Sequence, residues 1–188
     1  MNKGRNKLGV VSLIIALVAT ALGAYTFVIM NNYINALNAR IDDLNSYIPP
    51  MASVYYDDVS AYSIPDQSSQ TFNYNQISYD NRDAFNLVSD SYRIPGTGFY
   101  QVTAQYSIEA YDGDFFMIQL LSNGTIVCSR SFTASTTTNT FGVSLTNNFN
   151  FAEGESLSIL IYQYNGAHTA RNIFPGGAHN FFTIAKMT

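Results

Sequence analysis

The sequence is short of cysteine, of positive charge and of catalytic motifs, and each shortage excludes something. Cys128 is the only cysteine, so no intrachain disulfide and no cysteine-based metal cluster can form. Its plain reading is a small buried apolar group on a strand, with a reactive or interchain thiol as the alternative. Beyond Pro50 there are eleven Asp/Glu and only five Lys/Arg, namely Arg82, Arg93, Arg130, Arg171 and Lys186. An acidic head of this kind is a poor match for a phosphate backbone, so no nucleic-acid partner is expected. No nucleophile elbow, phosphate loop, HExxH or paired-carboxylate pattern occurs, and the chain reads as a non-enzyme.

The two histidines, His168 and His179, flank a glycine-rich stretch. No third ligand stands at local spacing, so they read as exposed loop side chains and not as a metal site. No cofactor is expected. The one ion to weigh is calcium, through Asp112 and Asp114 in AYDGDF and Asp57-Asp58 in YYDDV. Clustered carboxylates suit calcium, but D-G-D is also a plain turn between strands.

Residues 9–30, GVVSLIIALVATALGAYTFVIM, hold no charge at all. As a helix they reach about 33 Å, enough to cross a bilayer core. Residues 1–8 carry Lys3, Arg5 and Lys7 with no acid, while the far flank has Arg40, Asp42 and Asp43. Positive charge stays inside, so the amino terminus is expected in the cytosol or interior and the head outside. A cleaved signal peptide, cut near Ala21–Ala24, is the rival. Against it, the apolar run continues through Tyr25–Met30. A buried core helix is the weaker rival, since nothing polar alternates within the run.

Residues 31–48 change character. Phe27, Met30, Ile34, Leu37, Ile41, Leu44 and Ile48 recur in alternating steps of 3 and 4, the repeat of a coiled coil. The same register runs back through Leu13, Ala16, Thr20 and Gly23, putting small residues on the seam where helices in lipid approach closely. One continuous helix is expected, a membrane span over 9–30 and an oligomeric stalk over 31–48. Ile and Leu at successive core positions favour two strands when taken alone. Pro49-Pro50 ends the helix.

From Met51 the hydrophobic period becomes two, and residues 51–188 read as one β domain. Strands are expected near 52–62, 69–78, 84–92, 98–110, 114–122, 125–133, 140–151, 155–164 and 179–187. Asn123-Gly124 lies between two such runs, the preferred pair for a two-residue hairpin turn. With Thr125 it also spells a glycosylation sequon. Eight or nine antiparallel strands without helices imply an all-β sandwich or jelly roll.

The stretch from about Phe72 to Met187 resembles the globular head of the complement (C-one-q) and tumour-necrosis-factor superfamily. The matching pieces are ISYDNRDAFN, with Tyr79, Asp80, Phe85 and Asn86; YRIPGTGFYQV, with Tyr92, Ile94, Pro95, Gly98 and Tyr100; LLSNGTIV; FAEGESLSILIYQ, with Gly154, Leu157, Ile159 and Ile161; and NFFTIAKM. Val102 and Glu155 depart from the family pattern, and a stalk replaces the collagen repeat of many members. The resemblance implies an antiparallel jelly-roll head and a homotrimer, which would override the two-stranded hint in the stalk.

Two polar loops are the candidates for outward contact: Thr133–Thr140, with Thr136 and Asn139, and Asn165–Asn180, with His168, Arg171, Asn172 and His179. Loops on a rigid β scaffold commonly carry binding. The expected protein is a single-pass, trimeric surface protein of viral or microbial kind. It would serve in attachment to a cell-surface receptor or glycan, or pack against neighbouring capsid or envelope proteins. A tumour-necrosis-factor-like signalling ligand and a purely architectural membrane–shell linker are the alternatives.

Overall fold

The computed structural model describes residues 3–58 and 62–187. The chain divides into two compact units, 1–48 and 49–188.

The first unit is one unbroken helix, α1 (Lys3–Tyr47). It ends before Pro49-Pro50, where proline removes the next amide donor. Within it, Ile15–Leu44 is long and apolar enough to cross a membrane. The side chains of Leu13, Phe27, Met30, Ile34, Leu37, Ile41 and Leu44 are all exposed in the single chain. Hydroxyls inside the apolar run are satisfied by the helix itself. Thr20 Oγ1 donates to the Ala16 carbonyl at 2.8 Å and Thr26 Oγ1 to the Leu22 carbonyl at 2.9 Å. Such back-bonding lets a hydroxyl sit in an apolar medium without an orphaned donor.

The second unit is built of strands. In chain order they are β1 (Met51–Tyr55), β2 (Tyr62–Ile64), β3 (Ser68–Thr71), β4 (Gln76–Asp80), β5 (Phe85–Asn86), β6 (Ser91–Arg93), β7 (Gly98–Ala110), β8 (Phe115–Ser122), β9 (Thr125–Thr133), β10 (Thr138–Phe151), β11 (Ser156–Tyr164), β12 (Arg171–Ile173) and β13 (Phe181–Lys186). They form two antiparallel sheets. In the first, β7 pairs with β10 along its whole length, while β13 and β12 share its other side; β1 and then β4 continue beyond β13, and β2 lies beyond β12. In the second, β11 lies between β8 on one side and β3 and β6 on the other; β9 and β5 are the edges.

The alternation that predicts these strands is what buries them. Tyr100, Val102, Ala104, Tyr106, Ile108 and Ala110 of β7 point inward. From the second sheet, Phe116, Ile118 and Leu120 of β8 and Leu157, Ile159 and Ile161 of β11 meet them. Aromatic rings fill one flank of this core. Phe182 lies 6.2 Å from Tyr74, 6.0 Å from Phe85 and 6.5 Å from Tyr92 between ring centroids. The Asn123-Gly124 turn forms as expected, with φ of 49° and 77°, left-handed values that Asn and Gly tolerate. Cys128 is half-buried on β9 and packs against the core.

Three expectations need correcting. The strand expected over 52–62 is β1 and β2 in separate places, and the one over 69–78 is β3 and β4 in different sheets. Thr71 and Gln76 bracket a break that the Tyr/Phe alternation hides. The run over 84–92 is the short pair β5 and β6.

Tyr92 is fully buried, and its hydroxyl is the one buried side-chain polar atom without a partner among the described residues. Burial pushes the phenol pKa well up. An unmade buried hydrogen bond costs about 1–3 kcal/mol. Tyr92→Phe is therefore expected to leave thermal stability unchanged or raise it by about 1 kcal/mol. A clear loss in calorimetry would mean that the hydroxyl is bonded in solution.

Candidate functional site

Strand directions gather five loops at one end of the sandwich. β7 and β11 finish there and β8, β10 and β13 begin there, so segments 65–67, 111–114, 134–137, 165–170 and 174–180 converge. The chain enters at the other end: Met51 pairs with Ala185, which pairs with Gln101 near the start of β7. At about 3.4 Å per residue, β7 separates the two ends by about 40 Å.

The loop end is held by buried polar groups. Asp114, in the β7–β8 turn, accepts two hydrogen bonds from Arg171 on β12, from Nε at 2.6 Å and from Nη2 at 3.1 Å. The two side chains are 5% and 7% exposed. Asp114 also accepts the Tyr111 amide at 2.9 Å, and Arg171 donates through Nη1 to Thr169 Oγ1. The Arg171 guanidinium carbon lies 4.4 Å from the centre of the Tyr111 ring. Hydrogen bonding to Asp114 drives the guanidinium pKa above its ordinary value. The same turn fastens the next loop, since the Gly113 amide donates to the Ala134 carbonyl and the Ala134 amide to the Asp114 carbonyl.

A second knot joins 64–67 to 163–169. Gln163 and Asn165 are fully buried. Gln163 Nε2 donates to the carbonyls of Ile64 and Thr169 at 3.0 Å each. Asn165 Nδ2 donates to Gln163 Oε1 at 2.8 Å and to the Thr169 carbonyl at 2.7 Å. The Asn165 amide reaches Asp66 at 2.8 Å, and His168 Nδ1 lies 2.8 Å from the other oxygen of that carboxylate. Gln67 and His168 both take left-handed φ, 54° and 52°, strain that this network holds in place.

Asp66 sets an acid response. Partial burial raises its pKa, but hydrogen bonds from His168, the Asn165 amide and Gln67 outweigh that, and the carboxyl sits below its ordinary value of 3.8. A depressed carboxyl stabilises the fold fully above its unfolded pKa and loses that contribution as pH falls through its folded pKa. Asp66→Asn is expected to flatten the decline in melting temperature below about pH 4, read by scanning thermal unfolding between acid and neutral pH.

A third anchor is Asn180, fully buried at the start of β13. Its Oδ1 accepts the Ser107 amide at 2.9 Å, and its Nδ2 donates to the carbonyls of Phe174 at 2.6 Å and Gly176 at 3.2 Å. The loop it holds lies close under Tyr55: a Cβ on Gly177 would sit 2.5 Å from the ring.

Of the residues expected to face outward, Thr136, His168 and Asn172 are exposed, and Asn172 donates to Glu109 at 3.3 Å. His179 is half-buried, its ring edge-on to Phe174 at 5.2 Å, a correction to the expected exposed histidine. Asn139 lies on β10, and its side chain is outside the described residues. Arg171 is a further correction. It sits on a strand, buried against Asp114, because a cation this deep needs its carboxylate partner. That pairing also spends Asp114, and Asp112 is left exposed in the turn. Among the described residues no three His, Cys, Asp or Glu side chains gather closely enough to hold a metal ion. The supporting residues Asp66, Gln163, Asn165 and Asn180 carry no local motif. Each also has a partner far off in sequence: 99 positions separate Asn165 from Asp66 and Gln163 from Ile64, and 73 separate Asn180 from Ser107.

Comparison with solved structures gives the fold of the head. The chain is similar to Eiger TNF from S. frugiperda, with TM-score 0.55 and 8% identity over 75% of this chain and 94% of that one. It is similar to the globular domain of zebrafish complement 1qA, with TM-score 0.51 and 18% identity over 74% and 98%. It is also similar to murine APRIL, with TM-score 0.52 and 11% identity over 73% and 99%. The head is thus a jelly roll of the tumour-necrosis-factor and complement type. No family model and no curated protein matches the sequence.

Proposed function

We propose that this chain is a single-pass, membrane-anchored, non-enzymatic display protein that assembles as a homotrimer. Its amino terminus lies inside, α1 crosses the bilayer and continues as a coiled-coil stalk, and the head faces out. The exposed loop end, with Thr136, His168 and Asn172, contacts a cell-surface receptor or glycan or a neighbouring protein of a virion or cell coat. The observation that carries this reading is the strand register. The chain enters the head at one end of the sandwich, and the tied-down loop cluster stands about 40 Å away at the other. The heptad seam on an exposed apolar helix and the jelly-roll fold support three copies. Three heads on one stalk would give avidity to weak individual contacts.

Light scattering on the detergent-solubilised chain is expected to give three copies. Leu37→Asp with Ile41→Asp is expected to loosen the assembly while the circular dichroism of the head keeps its β signature. A monomer for both the full chain and the isolated 51–188 head would defeat the proposal. The likeness to Eiger TNF and APRIL equally supports a signalling ligand. A response induced in receptor-bearing cells, against simple adhesion of the head to cells, separates the two.

A further inference from the structure

At the entry end of the head, a cleft of about 840 Å³ opens beside edge strands β4 and β5, bounded below by the turn before β11. That volume is in the range of small-ligand sites. Ile77 and Leu87 give it an exposed apolar side. Arg82 and Arg93, two of the five cations of the head, line it together with Asp83 and Glu153 and with serine hydroxyls.

The walls are fixed before any ligand arrives. The Asp80 carboxylate accepts the amides of Arg82 at 3.1 Å, Ala84 at 2.7 Å and Phe85 at 2.7 Å. Those bonds hold Asp83 at a left-handed φ of 50°, a conformation that persists only where its surroundings over-determine it. Asn86 Oδ1 accepts the amides of Val88 and Ser89. On the facing wall, the Ile94 amide donates to the Glu155 carbonyl and the Gly154 amide to the Ile94 carbonyl, each at 2.8 Å. A preformed cleft loses little entropy on binding.

The charge pattern selects the ligand class. Two arginines and two acidic residues line it, so the lining is neutral overall. A phosphate or sulfate would bring its charge against Asp83 and Glu153. A single carboxylate needs one guanidinium, which it meets bidentately. Sugar hydroxyls then supply donors to Asp83 and Glu153, and a ring face or acetamido methyl covers Ile77 and Leu87. We propose that this cleft binds a carboxylate-bearing oligosaccharide, with Arg93 as the residue that reads the carboxylate. The site lends the display reading a ligand class, yet it is complete within one head and does not depend on three copies.

The test is titration calorimetry with saturation-transfer NMR on the full chain, in a detergent without a sugar headgroup. The probes are sialyllactose and trigalacturonic acid, with lactose, hexaglutamate and inorganic phosphate as comparisons. Saturable binding of at least one acidic sugar is expected, with lactose weaker by about tenfold or more. Arg93→Gln is expected to weaken the acidic sugar by about tenfold, Arg93→Lys by less, and Arg130→Gln, on β9 outside the cleft, not at all. Melting curves of each variant establish that the head is folded. Equal binding of lactose, equal effects of Arg93→Gln and Arg130→Gln, or binding of hexaglutamate or phosphate with neither acidic sugar overturns the proposal. So does the absence of saturable binding by both acidic sugars. None of these outcomes bears on the scattering mass, so this site and the trimer fail separately.

Discussion

Asp114→Ala is expected to cost the head about 3–5 kcal/mol, the range for stranding a buried charge by removing its partner. Arg171 is 7% exposed on its side chain, and two of its hydrogen bonds go to that carboxylate. Among the described residues, the guanidinium then keeps Thr169 Oγ1 and the face of Tyr111. It cannot shed its proton at neutral pH, so the site must open to water or distort. For a domain of this size such a loss lowers the melting temperature by about 10–17 °C. Differential scanning calorimetry on the solubilised chain reads it directly. Asp114→Leu combined with Arg171→Met is expected to recover most of the loss, because an apolar pair of similar volume replaces a buried ion pair at little net cost. If the double variant were as unstable as Asp114→Ala, loop tethering through the Tyr111 amide, not the stranded charge, would be the larger effect.

That pair also explains the quiet surface around it. The head has few cations, and one is committed to fastening β12 to the β7–β8 turn. The turn in turn fastens the loop after β9 through Ala134. A rigid loop end follows from polar groups paired inside it, and the exposed residues Thr136, His168 and Asn172 are carried on that frame.

The long strands were legible in the sequence because their alternation runs far enough to establish a period. β7 over 98–110 and β9 over 125–133 match expectation residue for residue, helped by the Asn123-Gly124 turn. β12 was not legible: three residues carry no period, and Arg-Asn-Ile inside a glycine-rich stretch reads as a loop. Arg171 looked like an outward cation because its partner is 57 positions earlier, a distance at which one sequence gives no signal. The cleft was hidden for the same reason, being assembled from 77–95 and 153–156. The last three residues of the Thr133–Thr140 stretch are the start of β10, since threonine serves strands as readily as loops.

Asn180→Leu is expected to cost about 2–4 kcal/mol and to free the 174–179 loop, a larger change than the substitution's size suggests. Leucine fits the volume, so packing is not what is lost. The Ser107 amide, on buried β7, loses its side-chain acceptor, and the Phe174 carbonyl loses its side-chain donor. Each buried group left unpaired costs about 1–3 kcal/mol. Gly176 still accepts from the backbone amides of His179 and Asn180, so the turn itself retains hydrogen bonds. Hydrogen exchange separates the two parts of the effect. Protection should fall at Phe174–His179 and at Ser107, while the amides of β8 and β11 keep theirs until global unfolding. Asn180→Asp tests the donor alone: the acceptor for Ser107 survives, but a carboxylate then faces the Phe174 and Gly176 carbonyls, and the loss should be at least as large. His179→Ala, which touches none of these bonds, should stay within about 0.5 kcal/mol. Equal losses at 179 and 180 would mean that the loop is held by ring packing against Phe174 and not by Asn180, and the frame of the loop end would have to be redrawn around that contact.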